Sequence, residues 1–90
     1  MSLRFIMKYK ITKLCGVDDY SVKLEGKIDS AFTQKILDNL KDFEIKTKSS
    51  DSIWLKKGEK NIFIFFYGEI IFDNFSSSEV ELIVKSFIGS

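Results

Sequence analysis

Residues 61–75, NIFIFFYGEIIFDNF, are the stretch that everything else in the chain must accommodate. Aromatic and β-branched side chains suit the pleated, packed surface of a strand, so two such runs around one glycine predict a β-hairpin. With Phe66, Tyr67 and Gly68 as a three-residue loop, Gly68 takes the left-handed position that closes such loops. Phe65 then faces Glu69, and Phe63 faces Ile71. Ile62, Ile64, Ile70 and Phe72 share the other side. A two-residue loop would instead bring Glu69 beside Phe66 on the packed face, a costly place for a carboxylate. Both sides of the hairpin are apolar, which predicts a position in the middle of a sheet. A register displaced by one residue, or an N-terminal hairpin folded across the rings, would turn Phe63 and Phe65 toward a core instead.

The flanking segments supply the neighbours. Residues 5–14 alternate, with Phe5, Met7, Tyr9 and Ile11 on one side and Lys8, Lys10 and Thr12 on the other. After a turn at residues 15–19, residues 20–28 repeat the alternation: Tyr20, Val22, Leu24 and Ile28 inward, Ser21, Lys23, Glu25 and Lys27 outward. The two runs predict a hairpin. Asp29 or Ser30 suits an N-cap, and Phe32, Ile36, Leu37 and Leu40 recur at helical spacing behind it. Residues 42–48 alternate again, with Phe43 and Ile45 inward and Glu44, Lys46 and Lys48 outward. A polar loop at 49–52 leads to a strand that places Ile53 and Leu55 in the core and Trp54 and Lys56 on the opposite face. Gly58-Glu59 turns into the central hairpin. Ser76 and Glu79 form a capping box, with Phe75 and Val80 as its hydrophobic staple. Val80, Ile83, Val84 and Phe87 make the buried stripe of that helix, and Gly89 can end it. The expected fold is a single α+β domain over residues 1–90 in two layers. A curved antiparallel sheet of five to six strands carries two helices on one face, in the order β-β-α-β-β-β-β-α.

Composition limits the chemistry. There is no histidine and one cysteine, which removes the usual proton shuttle, the commonest nitrogen ligand for metals and any internal disulfide. Formal net charge is +1, and Arg4 is the one arginine among 14 basic residues. Bidentate reading of guanine or phosphate favours arginine, so sequence-specific DNA recognition is poorly equipped. No nucleophile–base pair assembles, so no enzyme activity, cofactor or metal is expected. Cys15 reads as a small turn or buried residue. Asp18 and Asp19 read as a solvated turn before a divalent-ion site, and Ser76, Ser77 and Ser78 as capping residues. No apolar run reaches the roughly 18 residues of a membrane span, and residues 3–7 are short for a signal peptide, so the expected compartment is the cytoplasm and no membrane partner is expected.

The run IFIFFYGEIIFDNFSSSE resembles a stretch of the TATA-box-binding protein family. That stretch has an isoleucine–phenylalanine pair, two small residues, a glycine, a strand, and a helix opening with serine and acids. Ile64-Phe65 takes the place of the pair and Gly68 that of the glycine. Without its first strand the chain also has the element order of one repeat of that family, over about residues 20–88. The resemblance implies a curved sheet under two helices, with Phe65 where the family has a phenylalanine that wedges into DNA. Lys48 and Ser49 stand where the family has its second wedging phenylalanine, and Phe66 and Tyr67 where it has small residues. Residues 5–14 would lie along the strand edge that joins two repeats in the family.

The outward face then carries the function. Trp54, Phe63, Phe65 and Ile71 form its apolar centre, ringed by Lys23, Lys27, Lys46, Lys48 and Lys56. Three open rings would approach the ~300–600 Å² of a monomer's largest apolar patch. An aromatic centre with a charged rim fits a protein interface, most simply a homo-oligomer packed sheet face to sheet face, or another protein partner. Single-stranded nucleic acid stacked on the rings is the alternative. A small apolar ligand under the curved sheet is a third reading.

Overall fold

The computed structural model describes residues 8–14 and 18–88. Six strands and two helices follow one another as β1 (Tyr9–Lys13), β2 (Asp19–Leu24), α1 (Ser30–Asn39), β3 (Glu44–Lys48), β4 (Ser52–Lys57), β5 (Lys60–Phe65), β6 (Glu69–Asp73) and α2 (Ser77–Phe87). The strands form one antiparallel sheet in the order β1-β2-β6-β5-β4-β3. The β5–β6 hairpin is therefore central, as its two apolar faces require.

The hairpin closes through the three-residue loop. Gly68 N–H donates to the Phe65 carbonyl at 3.0 Å, and Phe65 pairs with Glu69, Phe63 with Ile71 and Ile62 with Phe72. Gly68 has φ +124°, and a Cβ there would lie 2.5 Å from the Gly26 carbonyl oxygen. Two constraints thus demand glycine: a backbone angle that L side chains avoid, and the passage of the chain after β2 over the turn.

One face of the sheet and the inner stripes of both helices make the core. Val22, Ile53, Leu55, Ile62, Ile64, Ile70 and Phe72 come from the strands, Ile36 and Leu40 from around α1, and Val80, Val84 and Phe87 from α2. Asp29 caps α1, its carboxylate accepting from Phe32 N–H at 2.8 Å. Ser76 caps α2 with the full reciprocal capping box to Glu79, and Phe75 and Val80 are both buried beside it. Lys60, the first residue of β5, joins that strand to this cap. Its ammonium pairs with Glu79 and lies 5.2 Å from the centre of the Phe75 ring. Lys60 and the backbone N–H of Ser76 together bring the Glu79 carboxyl down to about 2.

Several sequence expectations shift. β1 begins at Tyr9 within the described residues, while Phe5, Met7, Cys15 and Gly89 lie outside them. β2 starts a residue early, at Asp19, and stops at Leu24, so Lys27 is a loop residue rather than part of the outer face. In β3 a bulge between Ile45 and Thr47 reverses parity: Thr47 pairs with Trp54, and Lys48 pairs with the core residue Ile53. Lys48 therefore leaves the outward face and lines a groove beside α1 with Thr33, Leu37 and Phe66. Ile45 keeps the inward row opposite Leu55 but, at the free edge of the sheet, stays 47% exposed.

Candidate interaction face

The side of the sheet away from the helices reads as three rows running across the strands. The middle row is Thr12, Ser21, Ile71, Phe63, Trp54 and Thr47, in order from β1 to β3. Toward the β5–β6 turn lies a second row of Lys10, Lys23, Glu69, Phe65 and Ser52. At the opposite end, Asp19, Asp73, Asn61, Lys56 and Glu44 make the third. Trp54, Phe63, Phe65 and Ile71 thus share one face, as the alternation predicts, and none belongs to the buried core. Lys23 and Lys56 sit in its flanking rows. Lys46, the extra residue of the β3 bulge, lies with its ammonium 3.7 Å from the Glu44 carboxylate.

The apolar centre is less open than three isolated rings imply. Trp54 and Phe63 stack with centroids 5.9 Å apart and planes at 19°. Phe65 stacks in turn on Tyr67, at 5.7 Å and 26°. Each predicted apolar residue is consequently half-buried by its neighbours, while Tyr67 is 66% exposed. The Trp54 indole N–H donates to the Asn61 side-chain carbonyl at 2.9 Å, and the Asn61 amide donates to Asp73 at 2.9 Å. This chain of hydrogen bonds locks the indole against the sheet.

Polar residues take part in the face as well. Ser21 is buried, 1% exposed, and its hydroxyl donates to Glu69. The Tyr67 hydroxyl donates to the other Glu69 oxygen. These two donors hold the Glu69 carboxyl below its ordinary range, and the same carboxylate pushes the Tyr67 hydroxyl up. At the far end, Asp19 and Asp73 stand directly opposite one another across β2 and β6. Asp73 raises the Asp19 carboxyl, against a smaller lowering by the Asn74 N–H that Asp19 accepts at 3.3 Å.

A shallow depression of about 460 Å³ lies at that acidic end, lined by Asp18, Asp19, Lys56, Glu59, Asp73 and Asn74. No group of three or more acidic, cysteine or histidine side chains among the described residues is disposed to hold a metal ion. Among the same residues no helix is long and apolar enough to cross a membrane.

Sequence reasoning overlooked Tyr67, Glu69, Asp19 and Asp73 as members of the face. Tyr67 lies in a turn, where alternation carries no information on direction, and Asp19 was counted with the turn rather than the strand. The signal that could have found the acids was the hairpin register itself, which already placed Glu69 opposite Phe65. Compared with protein-family models, with curated proteins and with solved structures, the chain gives no match in any of the three.

Proposed function

We propose that this chain is a small non-enzymatic interaction module that self-associates through the outward face of its sheet. The observation that carries the reading is the Trp54–Phe63 and Phe65–Tyr67 pair of stacks, with Ile71 beside them, on a face opposite both helices. Aromatic residues at the centre of a polar rim are the ordinary composition of a protein interface. Six strands at about 4.8 Å spacing and five residues of length span on the order of 500 Å² per copy. A pair of such faces would cover about 1,000 Å², the lower bound for a stable interface.

Four acids, Asp19, Asp73, Glu44 and Glu69, share this face with its lysines. They weigh against a phosphate backbone, so single-stranded nucleic acid remains the lesser reading. The likeness to a TATA-box-binding protein repeat is one of element order, with β1 lying along β2 at the edge that joins repeats in that family.

Light scattering across a concentration series tests the proposal. Wild type is expected to approach twice the 10.4 kDa chain mass as concentration rises. Phe63→Ser removes the centre of the middle row and is expected to weaken association at least tenfold while retaining the circular dichroism spectrum. A wild-type chain that stays monomeric at millimolar concentration would contradict the reading.

A further inference from the structure

The outward face carries two like-charge pairs, one at each end of the same strand. Lys10 and Lys23 are directly opposed across β1 and β2, while Asp19 and Asp73 are directly opposed across β2 and β6. Like charges facing each other across a ladder are unfavourable, and a chain folding alone gains nothing from placing two such pairs on one surface. Among the described residues neither lysine lies within ion-pair distance of a carboxylate. Lys23 and Asp19 flank Ser21 of the middle row by two residues on either side, about 13 Å apart along the strand.

We infer that the face is complementary to itself in one orientation. A second copy of this chain packs across it about a two-fold axis along the Ser21–Ile71–Phe63–Trp54 row, perpendicular to the strands. This rests on the self-association proposed above and specifies its geometry. Two sheets packed face to face with aligned strands have two simple choices of axis in the plane between them. An axis along the strands lays each end of the face on the same end of the partner, so the acidic end, where Asp19, Asp73 and Glu44 outnumber Lys56, meets an acidic end. An axis along the middle row reverses the strands. Each β2 then lies over the partner's β2 running the other way, with Lys23 over Asp19 of the second copy and Lys10 beside it. Phe63, Trp54 and Ile71 lie on the axis and meet their own counterparts, forming a dry centre between two symmetric charged ends. Glu69 is the one acid in the basic row and lies over Asp73 of the second copy, but its carboxylate already accepts from Ser21 and Tyr67 within its own copy.

Charge reversal at each end tests this geometry separately from association itself. The basic-end variant is Lys10→Glu with Lys23→Glu, the acidic-end variant is Asp19→Lys with Asp73→Lys, and a third protein carries all four changes. Analytical ultracentrifugation at low and high salt reads the dissociation constant of each, with circular dichroism confirming the fold. Each end variant alone is expected to self-associate about 10- to 100-fold more weakly than wild type. Mixing the two is expected to give a heterodimer, and the four-fold variant is expected to regain self-association, both losing strength as salt rises. A wild-type dimer whose strength is indifferent to either end variant would overturn the axis while leaving self-association standing. End variants that weaken association without recovery in the four-fold variant would overturn it as well. A monomeric wild type would remove both proposals together.

Discussion

Gly68 is the residue on which the register of the outward face depends. Its φ of +124° and the Gly26 carbonyl oxygen 2.5 Å from the position of a Cβ exclude a side chain on two independent grounds. Gly68→Ala is therefore expected to lower unfolding free energy by about 2–4 kcal/mol, measured by urea denaturation. Gly58, also at positive φ but with open space around it, is expected to tolerate alanine with a smaller loss. Asp19 provides an opposite case. Its carboxyl is raised, chiefly by Asp73, so its ionised form is less favourable in the fold than in the unfolded chain. The monomer is accordingly destabilised by this group as pH rises through its folded pKa, and relieved as pH falls. Asp19→Asn is expected to stabilise the monomer near neutral pH, with the advantage shrinking toward pH 3; thermal melts at dilute concentration check it.

The start of α2 is the best-secured element. Ser76 and Glu79 complete the capping box, and Lys60 adds an ion pair from β5. The Glu79 carboxyl lies at about 2 against an ordinary 4.5. A depressed carboxyl contributes stability that is full above the unfolded value and disappears as pH falls through the folded one. Glu79→Gln is thus expected to cost stability at neutral pH and to lose less than wild type between about pH 4.5 and 2, read from acid titrations of the helix signal. The cap and staple were legible in the sequence because both partners lie within five residues of each other. So was the turn of the central hairpin, since only one loop length kept Glu69 off the packed face. The bulge in β3 was not legible. EIKTK alternates without a glycine or any local mark, and the extra residue is required only by pairing with β4. Lys48 leaves the outward face for that reason, and the Lys60–Glu79 pair, 19 residues apart in the chain, carries no local signal either.

At the scale of the whole molecule, strand alternation divided the apolar residues correctly between a helix-covered face and an outward one. The half-buried state of the outward rings was beyond it. Stacking of Trp54 on Phe63 and of Phe65 on Tyr67 joins residues on adjacent strands and in a turn, which a one-dimensional pattern does not reach. The same holds for the charge layout. Lysines and acids alternate without order along the chain, yet the sheet order gathers Lys10 with Lys23 and Asp19 with Asp73 at opposite ends. The polarity that selects one two-fold axis exists only once β2 is threaded between β1 and β6. Trp54, the only tryptophan, lies in the middle row and reports directly on whether that face is covered. Acrylamide quenching of its fluorescence across a dilution series, alongside the mass, is the most direct test. Quenching is expected to rise and the emission to move to longer wavelength over the concentrations at which the mass halves. Quenching that stays constant through that dissociation would contradict the face as the site of association.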